Sequence, residues 1–121
     1  MDTSQRPPRL YWSITEGVFN CLIDEERTSA FALAIKNTIT KGDVVVDMGS
    51  GNGVLALLAA QAGASKVYAV EFDEKFISTL RKVVSINGFS DCITVIHGDA
   101  RNIVLPEKVN VIVGEMIATG L

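Results

Sequence analysis

The chain has 121 residues, 48% of them apolar, and a formal net charge of −3 at pH 7. That length fits one domain with a real core, and the mild acidity gives no electrostatic footprint for nucleic acid. No apolar run reaches the roughly 18 residues of a membrane span. The opening "MDTSQRPPRL" lacks the apolar segment of a signal peptide, and Cys21 and Cys92 match no metal or redox spacing. These features describe a soluble, cytoplasmic protein with free thiols and no metal site.

Residues 1–9 are polar, carry Pro7 and Pro8, and read as a loose arm. "SITEGVFNCLID" opens with a capping box, Ser13 and Glu16, which predicts a short helix weakened by Gly17. A better helix is predicted from Asp24 to Ile39. It has acids in its first turn and an apolar stripe of Ala30, Phe31, Ala34 and Ile35. After the turn "TKGD" the pattern alternates. "VVVDM" (44–48) is a β-branched run of the kind buried on both faces of a parallel sheet. "GVLALLAAQAG" (53–63) reads as a helix and "KVYAVEF" (66–72) as a second strand. "DEKFISTLRKVVSING" (73–88) reads as a helix with Asp73 as N-cap and Asn87-Gly88 as its stop. Phe76, Leu80, Val83 and Val84 are expected to face the sheet. "CITVIHG" (92–98) and "VNVIVGEM" (109–116) are strands three and four, with only a turn or loop in "DARNIVLPEK" between them. Strand–helix–strand repetition implies an α/β, doubly wound parallel sheet with right-handed crossovers. The whole chain reads as one domain: arm and helices over 1–40, and the α/β core over 41–121.

In such folds ligands bind at the carboxyl ends of the strands. Strand one ends in Asp47-Met48-Gly49-Ser50-Gly51-Asn52-Gly53, strand two in Glu71-Phe72, strand three in His97-Gly98-Asp99-Ala100, and strand four in Gly114-Glu115. Carboxylates thus gather at strand ends instead of scattering over helices. The glycine turn lets backbone approach a ligand without a Cβ clash and leads into a helix N-terminus. Glu71 follows that turn by about 20 residues, the spacing at which an acid reaches ribose hydroxyls. Asp99 can accept from the exocyclic amine of a purine. The set describes a nucleoside lying across the strand ends. The dinucleotide pattern G-x-G-x-x-G would need glycine at position 54, where Val54 stands, so a nicotinamide-dependent oxidoreductase is disfavoured. His97 has no evident Ser or Cys partner and is read as structural or ligand-adjacent. Tyr11 and Trp12 fill a core edge or cover the ligand.

The glycines read G-x-G-x-G, with Asp47 two residues ahead. With Glu71 and "GDAR" in register, this segment resembles the first motif of class I S-adenosylmethionine-dependent methyltransferases. The resemblance implies a Rossmann-like fold and S-adenosyl-L-methionine as cofactor. It implies Asp47 and Gly49 by the methionine moiety, Glu71 at the ribose and Asp99 with Ala100 at the adenine, with Ser50, Gly51 and Phe72 also binding the cofactor. "DEERTSAFALAI", "AAQAGASKVYAVE" and "KVNVIVGEM" further resemble the core of the protein arginine methyltransferases. That resemblance implies Arg27 on the cofactor carboxylate and Glu115 as the first of two glutamates gripping a guanidinium. The second would fall beyond Leu121. The strand-three end "GDAR" follows the general class I pattern instead of the arginine-methyltransferase one, so the acceptor is left as a nitrogen of a protein, an RNA or a small molecule. Glu115 is the catalytic candidate.

A complete sheet of this class has seven strands. The four read here imply an incomplete version in the order 3-2-1-4, with helices on both faces. Strand four would then be an apolar edge carrying Val109, Val111, Ile112 and Val113, open to pairing with another copy. The alternative function is a SAM- or nucleoside-binding module, or a partner subunit, without catalysis.

Overall fold

The computed structural model describes residues 25–114, with side chains described from residue 29 onward. The elements, in chain order, are α1 (Glu25–Thr38), β1 (Val44–Met48), α2 (Val54–Gln61), β2 (Lys66–Glu71), α3 (Glu74–Ile86), β3 (Ile93–His97) and β4 (Val111–Gly114). The expected helix at Ser13–Glu16, Tyr11, Trp12, Glu115 and the Arg27 side chain lie outside the described residues.

All strand pairings are parallel, and the sheet order is β3-β2-β1-β4, as the resemblance implies. Register aligns Met48 with Val70 and Gly114, and Val70 with Ile96. The four carboxyl ends therefore finish level along one edge. β1 and β2 are the inner strands, and their β-branched runs are buried: Val45, Val46, Val67 and Val70 are at most 1% exposed.

Alternation along the strands divides the sheet into two faces. Val45, Val67, Ala69 and Ile93 lie in the larger core, together with Leu55–Ala60 of α2 and Leu80, Val83 and Val84 of α3. Ile35 and Ile39 bring the end of α1 into the same core. Val46, Tyr68 and Val70 form the second core, which is covered by Ala100, Ile103, Leu105 and Val109. The helices expected on both faces thus pack, among the described residues, on one face only. Right-handed crossovers from β1 to β2 to β3 run in one direction across the sheet and place their helices on the same side, and the other face is closed by the β3–β4 loop.

Three boundaries or faces differ from the sequence expectation. On α1 the buried side is Ile35 with Phe31 and Ala32 partly buried, whereas Ala30 and Ala34 are exposed. Alanines are too small to mark a face by themselves. On α3 the buried position is Ile77, and Phe76 is 44% exposed. Both residues keep helical spacing to Leu80, Phe76 at i−4 and Ile77 at i−3, but in this first turn of the helix it is Ile77 that reaches the core and Phe76 that stands in solvent. β4 starts at Val111 instead of Val109, because Asn110 intervenes. Its N–H donates to the Val44 carbonyl at 2.7 Å, and its side-chain Oδ1 accepts from the Val44 N–H at 2.8 Å. A side chain thus takes the first strand-like acceptor position.

These assignments predict opposite outcomes for two neighbours on α3. Leu80→Ala, at a fully buried site, should cost about 2–5 kcal/mol. Phe76→Ala should change stability by about 0.5 kcal/mol or less. Urea denaturation of the two variants checks this.

Candidate functional site at the strand ends

The chain leaves β1 into a turn with positive φ at Gly49 (74°), Gly51 (56°) and Gly53 (84°). Side chains are disfavoured in that left-handed region, which accounts for the alternating glycines. The Val70 carbonyl accepts from both the Gly49 and Ser50 N–H groups, at 2.9 and 2.8 Å. The Ser50 carbonyl then accepts from the Gly53 N–H, which closes the turn into α2. Gly53 is the N-cap and has no side chain to cap the helix. A Cβ on Gly53 would stand 2.6 Å from Leu80 Cδ1. The turn is thereby pressed against the α3 side of the core.

Asp47 and Ser50 lie beneath this turn, 1% and 6% exposed. The Ser50 hydroxyl donates to Asp47 Oδ2 at 2.8 Å. Asp47 therefore braces the turn from inside and presents little surface to a ligand.

Glu71 ends β2 beside the turn and is buried. Its Oε1 accepts from the Gly51 N–H at 2.7 Å, and its Oε2 accepts from the Asp73 N–H at 2.7 Å. One carboxylate thus joins the β1–α2 turn to the β2–α3 turn. Each oxygen keeps acceptor capacity for a hydroxyl, since a carboxylate offers about four lone-pair sites. Asp73 in turn caps α3 by accepting from the Lys75 N–H at 3.0 Å.

Phe72 follows Glu71 and is 71% exposed, a large apolar ring standing open at the strand ends. Its carbonyl lies 3.1 Å from His97 Nε2. The Glu71 carbonyl accepts from the Gly98 N–H at 3.0 Å, which extends the β2–β3 contact past the strands. His97 thus makes a structural link, one of the two readings the sequence left open.

Asp99 and Ala100 follow at the end of β3. The Asp99 carboxylate is already engaged. Arg101 Nε donates to Oδ1 and Oδ2 at 3.0 and 3.2 Å, Nη2 donates to Oδ2 at 2.7 Å, and the Arg101 N–H donates to Oδ1 at 3.0 Å. These bonds from the Arg101 side chain, and then its backbone, hold the Asp99 carboxyl at about 2. Sequence reasoning named Asp99 and missed the residue that holds it. An acid and an arginine two apart across a turn were the available signal. Of the other candidates, Gly49, Ser50, Gly51, Glu71, Phe72, Asp99 and Ala100 all lie along the one sheet edge. Arg27 is in the first turn of α1, and Glu115 follows directly after β4.

A family model described as the TRM5/TYW2 methyltransferase domain matches residues 10–120. An uncharacterised protein of Methanocaldococcus jannaschii is 35% identical over 113 residues, 93% of this chain and 43% of that protein. A probable histone-arginine methyltransferase of Arabidopsis thaliana is 43% identical over 103 residues, 83% of this chain and 19% of that protein. Among solved structures, the Trypanosoma brucei PRMT1 enzyme–prozyme complex with AdoHcy superposes with a TM-score of 0.74 at 38% identity, covering 84% of this chain and 32% of that one. The chain spans less than half the length of each of these relatives.

Two measurements test the site's geometry. Glu71→Gln puts an amide NH2 against a backbone N–H and should destabilise the fold by about 1–3 kcal/mol, read by denaturation. The Asp99 pKa lies below its unfolded value, so the Arg101 contact stabilises the fold above about pH 4 and is lost as pH falls towards 2. A carbon-detected titration of Asp99 should give a midpoint near 2, rising towards the ordinary carboxylate range in Arg101→Gln.

Proposed function

The chain belongs to the TRM5/TYW2 methyltransferase domain family, and from that membership and the strand-end geometry we propose that it is the S-adenosylmethionine-binding part of a methyltransferase acting on a nitrogen acceptor. The observation that carries the reading is Glu71. A buried carboxylate is held by two backbone N–H groups at the edge of a glycine turn, with acceptor capacity left over. The donor set fits the cofactor. Glu71 supplies an acceptor for ribose hydroxyls, Asp99 supplies one for the adenine amine, and exposed Phe72 offers an apolar surface between them. Gly49 and Gly51 leave room at the turn for close approach of the methionine end, and Arg27, at the start of α1, balances its carboxylate.

When bound, S-adenosylmethionine supplies a sulfonium methyl open to in-line attack by a nitrogen lone pair. The chain's own work is placement, and holding two reactants in line is worth several kcal/mol by itself. The level strand ends and the braced turn give a rigid floor for that placement. Glu115, one residue past Gly114 of β4, is assigned to the acceptor side. There it orients the attacking nitrogen and offsets a cationic group. The Arabidopsis relative acts on arginine according to its name, and the family model bears the name of TRM5/TYW2. A nitrogen nucleophile is the acceptor assigned to this chain.

β4 is an edge strand among the described residues, and Ile112 on it is 64% exposed. An open apolar edge favours added pairing, so self-association through β4 belongs to the same reading.

Calorimetric titration should give saturable heat with S-adenosylhomocysteine and none with NAD. No heat with S-adenosylhomocysteine sinks the reading. Glu71→Ala should weaken that binding by roughly tenfold or more, because hydrogen bonds to a charged group are lost. Sedimentation at rising concentration should show association, and a clean monomer throughout would remove the β4 assignment.

A further inference from the structure

We infer that Arg101 sets the affinity of the adenine end of the site by competing with the ligand for Asp99. This rests on the cofactor reading above. The argument is one of counting. An ionised carboxylate offers about four lone-pair sites. Three N–H groups of Arg101 make four contacts on Asp99: the backbone N–H on Oδ1, Nη2 on Oδ2, and a single Nε–H shared between the two oxygens. Each oxygen thus already faces two Arg101 contacts, and an incoming amine donor displaces at least the shared Nε contact.

The exposure of the pair makes that exchange feasible. The Arg101 side chain is 82% exposed and the Asp99 side chain 23%, so the guanidinium has solvent to move into. The backbone contact from the Arg101 N–H keeps Asp99 in place while the fork departs. An exposed ion pair of this type shifts an equilibrium by up to about fivefold and is weakened by salt. Arg101 is then a positioning residue with a cost. It holds the carboxylate ionised and oriented when no ligand is present, and it subtracts from the binding of any ligand that needs Asp99. A ligand without a donor at that point leaves the pair intact and pays nothing.

The test compares S-adenosylhomocysteine with S-inosylhomocysteine, in which an oxo group replaces the amine, on wild type, R101A, D99N and the double variant. R101A should bind S-adenosylhomocysteine about three- to fivefold more tightly than wild type at low ionic strength, with the gain shrinking as salt rises. The gain should be absent with S-inosylhomocysteine and absent when R101A is made on D99N. Equal or weaker binding by R101A overturns the role of Arg101 while wild-type binding keeps the cofactor reading. A gain that persists with S-inosylhomocysteine, or on D99N, overturns it equally, since Asp99 is then not the object of the competition. A wild-type chain that takes up no S-adenosylhomocysteine overturns the cofactor reading and the inference together.

Discussion

The bridge made by the Glu71 carboxylate is the contact on which the site depends. It accepts from Gly51 on one side and from Asp73 on the other. Those N–H groups belong to turns that leave two neighbouring strands, and nothing in parallel strand pairing fixes such turns to one another. The carboxylate does. Burial strengthens the arrangement, because charge-assisted hydrogen bonds gain in a low-dielectric setting. It also makes the residue doubly committed: the group expected to meet a ligand is also the group that shapes the place where the ligand sits.

Around this bridge the sheet provides the level floor. Parallel pairing in a common register brings four strand ends to one line. Three helices bury one face, whereas the other is closed by the loop after β3. That loop is anchored at Tyr68, whose hydroxyl donates to Glu107 at 2.5 Å. The same bond pushes the Tyr68 hydroxyl pKa up. Since the loop starts at Asp99 and Arg101, the covering of the second face and the Asp99–Arg101 pair at the strand ends are parts of one segment.

Much of this was legible from sequence, for physical reasons. The β-branched run Val44–Val46 and the apolar run Val67–Val70 suit burial on both faces, which an inner parallel strand provides. Strand order came from family resemblance and not from periodicity. The stripe of α3 was read with one error, Phe76 in place of Ile77, because both keep helical spacing to Leu80 and spacing alone does not choose between them in the first turn. The alanines of α1 carried too little area to mark a face. At the site, acids and glycines were visible as residue types at strand ends. Their partners were not: the N–H groups on Glu71 are backbone donors, which exist at every position and leave no trace in sequence. The Asp99–Arg101 pair was visible as an acid and an arginine two apart, but a turn, unlike a helix or a strand, has no fixed face on which that spacing places both side chains.

The contact between the Gly53 position and Leu80 has a wider consequence. The glycine turn is in touch with the centre of the hydrophobic core, so its shape is not separately adjustable. Side chains added there displace a fully buried leucine. By contrast, Phe72, Asp99 and Arg101 touch the core little and tolerate exchange. The two walls of the strand-end cleft thus have unequal freedom to diversify: the glycine turn is a frozen frame, and the side made by Phe72, Asp99 and Arg101 is where side chains can change without loss of the fold.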